Sequence, residues 1–491
     1  MPLQLLERLQ QQAATRADKP AIREIGPDGR RATFAQLAAM AASFAESVAS
    51  AVSPGGVVLI CLPNRIDCTA AFLGTLEAGR TGFLVNPSVS YYELSRAVAT
   101  AGGEAVAVTR DFAREIDGWS LRRLVVPDVP EQAAGPSLLP TVGRGASDRG
   151  ALMLLSTGTT GDPKIVLRDG PSIDAVASNI VEAIRLTADD CVLGLVPLCH
   201  SYGVEHGILA PTYAGCRVHL CHGFDTRTVL DQLTRGGITV FPGVPSAFEM
   251  LATLGDGTGV FSDLRCAYSA GSMLPMSVVD ACRKNWGCRV GQLYGSSEVG
   301  SITFNDPNQP DHDPMSVGLP MSGVVAVTVD PITRDVTSPL PPGVEGELAI
   351  HAPSMLSGYV GQTESPLVDG YFFTGDLARL DVRGAITITG RIKLLIDVGA
   401  LKVNPLEVEE VLTQCPGVGE CVVVPVPISD TVSRVRAVVV PEDAANPPSA
   451  EALRRFVRAR LSAHKVPRVV DIVDALPKSP TGKVLRRQIA S

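Results

Sequence analysis

The chain has 491 residues, more than one hydrophobic core usually holds, so about three structural units are expected. Hydrophobic residues make up 45% and charged residues 19%, with 47 Gly and 37 Pro, which excludes a disordered chain, a collagen and a coiled coil. The net charge of −8 argues against a general nucleic-acid binder.

The N-terminal residues predict a short amphipathic helix and not a signal peptide, because Leu3, Leu6 and Leu9 recur at helical spacing among Gln and Arg. No apolar run reaches the ~18–20 residues that cross a bilayer, so no membrane insertion is expected. The eleven cysteines are scattered without a C-x-x-C pair, which favours reduced, mostly buried thiols and a cytoplasmic protein.

Short apolar runs alternate with segments of helical period over the first 390 residues. Helices are predicted at 33–52 and 174–186, and turn-rich connections at 127–150 and 331–346. The predicted strands are residues 57–61, 82–85, 105–109, 151–155, 191–196, 238–241 and 289–293. This alternation predicts an α/β fold with layered sheets.

A glycine-rich loop follows one of these strands, with the sequence Leu-Leu-Ser-Thr-Gly-Thr-Thr-Gly-Asp-Pro-Lys at 154–164. Glycines let the backbone approach an anion, and the hydroxyls and the ammonium group supply donors for phosphate oxygens. The order differs from a Walker A loop. For a glycine-rich run taken alone, a polar turn between strands is the simpler interpretation, and other motifs must decide.

The pattern changes after Gly390 to a compact α+β unit of about one hundred residues. A helix is predicted at 405–414, strands at 420–425 and 435–440, and a further helix capped by Ser449. Residues 1–390 are therefore expected to form an N-terminal domain and 394–491 a small C-terminal domain, with the boundary at 391–393. Residues 450–491 carry ten Lys or Arg and three Asp or Glu, so a basic segment ends an acidic chain.

Seven segments in order resemble signatures of the AMP-forming acyl-adenylating enzymes, which include acyl- and aryl-CoA synthetases, luciferases and adenylation domains. They are the glycine-rich loop and residues 196–200, 294–298, 346–348 with 358–359, 371–376, 390–399 with 405–409, and 477–483. The resemblance covers nearly the whole chain. It implies a large N-terminal domain of several subdomains and a small mobile C-terminal domain. It also implies activation of a carboxylic acid by ATP, with release of pyrophosphate, and transfer to a thiol.

The resemblance implies two sets of nucleotide-binding residues. Those expected to hold the phosphates are Ser156, Thr157, Gly158, Thr159, Thr160, Gly161 and Lys164. Those expected around AMP are Ser269, Ala270, Gly271, Leu293, Tyr294, Gly295, Ser296, Ser297, Asp376 and Arg391. Among these, Tyr294 is expected to stack on the base, with a plain core aromatic as the alternative. Asp376 suits the ribose hydroxyls because a carboxylate accepts two hydrogen bonds from a diol.

Lys483 is the expected catalytic cation, because the first half-reaction brings two anions together; the alternative is a solvated tail charge. Glu298 is the expected ligand of Mg²⁺, an ion that favours one or two carboxylates plus phosphates; the alternative is a surface or capping residue. The resemblance places the hinge at Lys393 and a thiol tunnel at Gly399 and Ala400. The basic segment would then carry Lys483 to ATP and meet the phosphates of CoA or an acidic carrier protein.

The acid pocket is expected to lack a partner for an α-ammonium group, since residues 197–202 read Pro-Leu-Cys-His-Ser-Tyr where amino-acid-activating relatives carry Asp. An aryl or aliphatic acid is therefore favoured. The expected lining residues are His200, Tyr202, Gly203, Ala270, Gly271, Ser272 and Val299. His200, counted among the catalytic residues, is expected to orient substrate. The hydroxyls of Tyr202 and Ser272 are equally consistent with binding a ring substituent or filling space, and Cys199 is expected to be a core residue.

Four functions remain open at this point. The first is an acid–thiol ligase that uses ATP, Mg²⁺ and CoA. The second loads an acyl-carrier protein through its phosphopantetheine arm, and the third transfers the acyl group to an amine. The fourth, a nucleotide-binding pseudoenzyme, is disfavoured because Lys483, Glu298 and Asp376 are retained. The pattern specifies neither the acid nor the oligomeric state.

Overall fold

The computed structural model describes residues 3–26, 29–109, 122–125, 150–156, 164–223, 225–235, 237–254, 260–391, 396–399, 401–403, 405–429, 432–477, 486 and 489. The chain forms two compact units. The larger comprises Met1–Pro87, Thr100–Leu155 and Ile165–Gly390, and the smaller comprises Ser88–Ala99, Ser156–Lys164 and Arg391–Ser491. The predicted hinge residue Lys393 lies outside the described residues, and the predicted domain assignment stays a prediction.

The helices range from single turns to five turns. They are α1 (Gln4–Thr15), α2 (Phe34–Ala51), α3 (Ile66–Glu77), α4 (Tyr91–Ala101), α5 (Gly170–Ile184), α6 in three segments (Ser201–Val204, the π-helical Glu205–Leu209, and Ala210–Ala214), α7 (Thr226–Thr234), α8 (Pro245–Leu254), α9 (Met276–Trp286), α10 (Pro405–Thr413), α11 (Ala450–Arg458), and a 3₁₀ turn at Ala463–Lys465.

The strands of the larger unit are short and mostly apolar. They are β1 (Pro20–Ile25), β2 (Arg31–Thr33), β3 (Val57–Cys61), β4 (Thr81–Leu84), β5 (Gly103–Val108), β6 (Arg122–Val125), β7 (Ala151–Ser156), β8 (Lys164–Arg168), β9 (Cys191–Gly194), β10 (Arg217–Cys221), β11 (Val240–Gly243), β12 (Cys266–Ser269), β13 (Val290–Ser296), β14 (Gly300–Asn305), β15 (Leu319–Pro320), β16 (Val325–Val329), β17 (Gly346–His351), β18 (Gly358–Tyr359), β19 (Leu367–Val368), β20 (Tyr371–Leu380) and β21 (Ile386–Arg391). The smaller unit adds β22 (Ile396–Val398), β23 (Leu401–Val403), β24 (Val418–Pro427), β25 (Ser433–Pro441) and β26 (Val469–Ile472).

Three sheets build the larger unit. The nine-stranded sheet has the order β15-β14-β13-β12-β11-β9-β10-β1-β2, and the seven-stranded sheet has the order β18-β8-β7-β4-β3-β5-β6. Strands in the middle of both sheets pair in parallel. The third sheet, β16-β17-β20-β19 with β21 beside β20, is antiparallel where β16, β17, β20 and β19 pair.

The largest hydrophobic cluster joins the two parallel sheets through α1, α2, α3 and α5, whose apolar faces lie in it together with residues of both sheets. A second cluster covers the nine-stranded sheet with α7, α8 and α9. Strand β3 is buried at all five positions, as expected for a parallel strand covered on both faces. The sequence Val-Val-Leu-Ile-Cys therefore carries no alternation.

The predicted α/β class with a large N-terminal part and a smaller C-terminal part is confirmed, and each predicted strand and helix is present with ends shifted by a few residues. Helix α2 begins where predicted because Thr33 and Gln36 form a capping box. In α1, Leu5 and Leu9 are buried, so the buried face lies close to the predicted one. All eleven cysteines are unpaired and eight are buried. Among the described helices, none combines the length and apolarity needed to span a membrane.

The smaller unit has its own hydrophobic core. Helices α10 and α11 pack with the sheet β24-β25-β26 and the hairpin β22-β23, and the shared cluster includes Val408, Val423, Val439 and Leu453. Ser449 caps α11 as predicted, since its Oγ accepts a hydrogen bond from the amide of Ala452.

A buried lysine organises the polar interior of this unit. Lys465, which is 8% exposed, places Nζ 2.9 Å from carboxylate oxygens of both Glu93 and Glu407. Ser462 also donates a hydrogen bond to Glu93. Burial raises the pKa of Glu407 while the ammonium group of Lys465 opposes that effect. One cation thus compensates one buried and one largely buried carboxylate.

Replacing Lys465 with Met should lower the unfolding free energy by ~3–5 kcal/mol, because the buried carboxylate of Glu407 and the largely buried one of Glu93 lose their cation. The thermal unfolding midpoint of the full chain measures the effect. Arg235→Ala is the control, since the pair Arg235–Asp231 is exposed and is worth at most about 0.5 kcal/mol. Equal midpoints for the two variants would contradict a compensating role for Lys465.

Candidate active site

The hairpin β13–β14 carries Glu298 at its tip. Ser296 pairs with Gly300, so residues 297–299 form the turn between the strands. Gly300 has a φ of +77°, and a Cβ there would lie 3.2–3.3 Å from the guanidinium nitrogens of Arg168. Glycine is required at this position for both reasons.

Each of the four successive carbonyl groups in residues 296–299 accepts a hydrogen bond from outside the hairpin. The donors are the Arg168 guanidinium to Ser296 and Ser297 (3.1 and 2.8 Å), the amide of Leu356 to Glu298 (2.7 Å) and Oγ of Ser354 to Val299 (2.7 Å). The main chain that carries Glu298 is thereby fixed on its whole length.

Tyr359 holds the side chain of Glu298. Its hydroxyl donates to Oε1 of Glu298 at 3.1 Å, and its position is set by strand pairing, since Tyr359 lies opposite Val166 in the β18–β8 ladder. Burial and the neighbouring carboxylate raise the pKa of Tyr359, so the hydroxyl stays a donor. Within the described ranges, no group of three or more His, Cys, Asp or Glu could hold a metal ion. A cation at Glu298 would therefore need further oxygen atoms from a bound ligand. Mg²⁺ is usually bound in this way, by one or two carboxylates together with phosphate oxygens.

The segment before α6 presents His200. Asn64 fixes this segment, because Nδ2 donates to the carbonyl of Val196 (3.0 Å) and Oδ1 accepts from the amide of Leu198 (2.9 Å). Nε2 of His200 is buried without a hydrogen-bond partner in the described part of the chain, and burial lowers the pKa of His200. A neutral imidazole with an unsatisfied nitrogen suits the orientation of a ligand. A Cβ on Gly203 would overlap the Pro197 carbonyl, so close packing requires glycine there, and its place in the acid pocket stays a prediction.

A buried polar network surrounds His206, a residue of α6. Nε2 of His206 is 3.1 Å from Oγ of Ser301, and Nδ1 is 2.8 Å from the hydroxyl of Tyr268. Because Ser301 donates its hydroxyl hydrogen to Glu205, it accepts from His206, so the proton of the neutral imidazole lies on Nε2. The tautomer is thus assigned by the network. Burial lowers the pKa of His206 to about 4.

Tyr202 forms one wall of this region. Its hydroxyl donates to the carbonyl of Gly243 at 3.2 Å, and its ring lies edge-on to His206. Tyr202 therefore already has a partner for its donor. Ser272 is half-buried, whereas Val299 is fully buried in a hydrophobic cluster with Ile302 and Leu348. The role of these residues in an acid pocket stays a prediction.

The residues expected around AMP come from neighbouring strand ends. Ser269, the last residue of β12, pairs with Gln292 of β13. Oγ of Ser269 and Oγ of Ser296 are buried with no partner among the residues that the structure describes. Buried polar atoms are normally hydrogen-bonded, so these hydroxyls have capacity for a further partner, and their role around AMP stays a prediction. Leu293 and Ala270 are buried in the largest hydrophobic cluster, and Gly271 has a φ of +99°.

Tyr294 and Asp376 contact each other directly. The hydroxyl of Tyr294 donates to Oδ2 of Asp376 at 2.6 Å, and Asp376 follows Gly375, which has a φ of +74°. Asp376 is almost completely buried. The stacking of Tyr294 on a base stays a prediction. The structure adds the hydrogen bond from Tyr294, which orients Asp376, the residue predicted to bind the ribose hydroxyls.

Several predicted residues flank or fall in segments outside the described ranges. Ser156 ends β7 with its Oγ buried and unpartnered among the described residues, and Lys164 begins β8. Arg391 ends β21, and Gly399, with a φ of +67°, forms the turn of the β22–β23 hairpin. The predicted residues that lie outside the described part are Thr157, Gly158, Thr159, Thr160, Gly161, Lys393, Ala400 and Lys483.

Sequence reasoning missed the buried polar residues that support the hairpin, namely Arg168, Glu205, His206 and Ser301. One signal was available, since Arg168 ends the apolar run of β8 and Glu205-His206 interrupts an apolar helix. The thiol of Cys199, expected to be a core residue, has its pKa raised to about 12 by burial, so it is not a thiolate at neutral pH.

Comparison with known proteins extends the likeness to almost the entire chain. Residues 9–360 match the family model of the AMP-binding enzymes, and residues 407–483 match that of the AMP-binding enzyme C-terminal domain. A feruloyl-CoA synthase from an Amycolatopsis species is 28% identical over 473 residues, 94% of each chain. A 2-succinylbenzoate–CoA ligase from Geobacillus kaustophilus is 31% identical, over 94% of this chain and 93% of the other. The solved structure of an amide bond synthetase from Marinactinospora thermotolerans has a TM-score of 0.86 and 26% identity, with 99% of both chains covered.

The buried neutral His206 should make the protein less stable as the pH falls. Its folded pKa of about 4 lies below the ordinary value of about 6.5, so the unfolded chain takes up the proton first. Stability should fall between these values by ~1.4 kcal/mol per pH unit from this group. In the His206→Gln variant, the thermal unfolding midpoint should fall less between pH 7 and pH 4 than in the wild type. Tyr268→Phe removes the hydrogen bond to Nδ1 of His206 but keeps the imidazole, so it should retain the pH dependence of the wild type. If the unfolding midpoint of His206→Gln fell as steeply with pH as that of the wild type, the assignment to His206 would be refuted.

Proposed function

The chain belongs to the AMP-binding enzyme family, and from that premise we propose that it joins a carboxylic acid to a thiol through an acyl-adenylate. A carboxylate oxygen attacks the α-phosphorus of ATP, the bond to the bridging oxygen breaks and pyrophosphate leaves. The sulfur of CoA then attacks the acyl carbon, the bond from this carbon to the phosphate oxygen breaks, and AMP leaves. The thiol proton is released, and the product is a thioester.

The fixed Glu298 hairpin is the observation that carries this proposal. The four successive carbonyls of residues 296–299 are all bonded, and Tyr359 orients the carboxylate. Glu298 would hold Mg²⁺ together with phosphate oxygens, and the ion would supply positive charge against the developing pyrophosphate. Two unsatisfied buried groups, Oγ of Ser296 and Nε2 of His200, support ligand binding close in sequence to this hairpin and to α6.

The remaining roles follow the chemistry of each side chain. Lys483 would place its ammonium group between the attacking carboxylate and the α-phosphate, where negative charge accumulates. Asp376, oriented by Tyr294, would accept hydrogen bonds from the ribose hydroxyls. His200 is uncharged, so it would orient the acid by a hydrogen bond and not by an ion pair.

The pocket chemistry favours an acid without an α-amino group. Residues 197–202 offer no carboxylate, and the hydroxyl of Tyr202 is engaged by the Gly243 carbonyl. Both curated relatives described above are named for aromatic acids, the feruloyl and 2-succinylbenzoate groups. Aryl carboxylates are therefore the first substrates to test, followed by aliphatic acids.

Transfer to an amine is the second candidate for the acceptor step. It is favoured by the fold similarity to an amide bond synthetase, at a TM-score of 0.86. A panel of acids crossed with CoA, a phosphopantetheinylated carrier protein and simple amines separates the three acceptors by the product formed. Pyrophosphate release that needs an acid but no acceptor would report the shared first step.

Lys483→Ala should lower acid-dependent pyrophosphate release by about 10²–10³-fold, as for the loss of one preorganised donor to a transition state. The measurement is the initial rate with the best acid of the panel. Arg487→Ala is the matched control, because it removes a positive charge from the same terminal segment and should leave the rate near wild type. Equal losses in both variants would show that Lys483 contributes only general charge.

Lys393→Pro should impair one half-reaction more than the other if the small domain turns about this residue between two arrangements. Proline restricts the backbone at and before its position, so it hinders rotation there. Adenylation is measured by pyrophosphate release, and thioester formation by transfer from preformed adenylate. Wild-type rates for both steps would remove the hinge assignment.

A further inference from the structure

Arg168 is the largest fully buried side chain of the described residues, with 0% of its surface exposed. Its guanidinium group makes five hydrogen bonds. Three of them go to the carbonyls of Ser296 and Ser297, the two residues directly before Glu298. The others go to Glu205, at 2.6 Å, and to Oγ of Ser201, at 3.0 Å.

Glu205 compensates this charge and holds the other strand of the same hairpin. The carboxylate is 1% exposed and accepts four hydrogen bonds. Oε1 receives those of Arg168 and Ser201, and Oε2 receives the amide and hydroxyl of Ser301, at 3.0 and 2.7 Å. Ser301 is the second residue of β14, so the ion pair ties both ends of the turn that carries Glu298.

The pair also reaches the segment that carries His200. The hydroxyl of Ser201 accepts from Arg168 and donates to Glu205, and Ser201 lies between His200 and Tyr202. Two functional segments that are distant in sequence therefore share one buried ion pair. A planar guanidinium fixes the direction of each bond, which a lysine ammonium group does not.

We propose that Arg168 and Glu205 are positioning residues, which hold the carboxylate of Glu298 in a fixed position relative to the acid-binding segment at His200. This inference rests on the proposed function for the identity of the ligands. A purely stabilising role does not require such a pair, because apolar residues of similar volume often stabilise a buried site equally well. The pair is distinguished by where its bonds end, on the carbonyls of the residues before Glu298 and at the base of the His200 segment.

The test measures metal affinity without turnover. Mn²⁺ is titrated into protein saturated with α,β-methylene-ATP, and bound metal is followed by electron paramagnetic resonance. Arg168→Lys and Glu205→Gln should weaken Mn²⁺ binding by about 10–100-fold, the usual effect of losing a residue that orients a metal ligand. The double variant Arg168→Met/Glu205→Leu, which leaves no unpaired charge, should fold and show the same weakening.

A double-mutant cycle identifies the route of the effect. The Glu298→Gln variant gives the Mn²⁺ affinity that remains without the carboxylate. If Arg168 acts through Glu298, adding Arg168→Lys to Glu298→Gln should cause no further loss of affinity. In steady state, Arg168→Lys should raise the half-saturating Mg²⁺ concentration of acid-dependent pyrophosphate release.

Arg265→Lys is the matched control. Arg265 pairs with Asp190 at 2.7 Å and, like Arg168, donates to two successive carbonyls, those of Ile184 and Arg185, but these carbonyls lie at the C-terminal end of α5 and not in the Glu298 hairpin. The Arg265→Lys variant should have a lower unfolding midpoint and an unchanged Mn²⁺ affinity.

Each outcome separates the two proposals. Lower unfolding midpoints with wild-type Mn²⁺ affinity in all Arg168 and Glu205 variants would overturn the positioning role and leave the proposed function intact. Weakened Mn²⁺ binding in a protein whose wild type releases no pyrophosphate with any acid would support positioning and reject the acid–thiol ligase. Absence of Mn²⁺–nucleotide binding in the wild type would overturn both.

Discussion

A guanidinium group removed from water must find acceptors for its N–H groups and a negative charge for its cation. Arg168 meets this constraint with one carboxylate, one hydroxyl and two main-chain carbonyls. Because those carbonyls belong to the residues directly before Glu298, this segment cannot change conformation without leaving buried N–H groups of Arg168 without acceptors. The conformation of the hairpin and the hydrogen bonding of Arg168 therefore require each other. The geometry around Glu298 depends on both.

Much of the architecture was accessible from the sequence because its signals are local. The apolar run at Val57–Cys61 is a buried parallel strand, and Thr33 with Gln36 starts α2 through reciprocal bonds within one turn. The alternation of such elements predicted the layered α/β class, and the family motifs singled out Glu298, Tyr294 and Asp376, whose roles stay predictions. These features depend on spacing that neighbouring residues already define.

The remainder depends on contacts between distant positions. Arg168 and Glu205 are 37 residues apart, and Arg168 is 129 residues from Ser297, so no local pattern marks them as partners. An arginine that ends an apolar strand more often reaches solvent, because charged residues are rarely buried. Lys465 is a comparable case in the smaller unit, since its partner Glu93 comes from the segment Ser88–Ala99. The need for glycine at 203 is likewise set by a contact that the local sequence does not mark, that with the Pro197 carbonyl, and the place of Gly203 in the acid pocket stays a prediction.

The π-helical segment Glu205–Leu209 has a consequence for exchanging parts between related proteins. A π turn accommodates one residue more than an α turn, and it directs two adjacent side chains, Glu205 and His206, into the same buried network. Transplanting residues 197–209 into another scaffold would bring a carboxylate whose cation stays behind on β8. A functional chimera must therefore move Arg168 and Gly300 together with this helix, so the transferable module is defined by charge balance and not by a continuous stretch of chain.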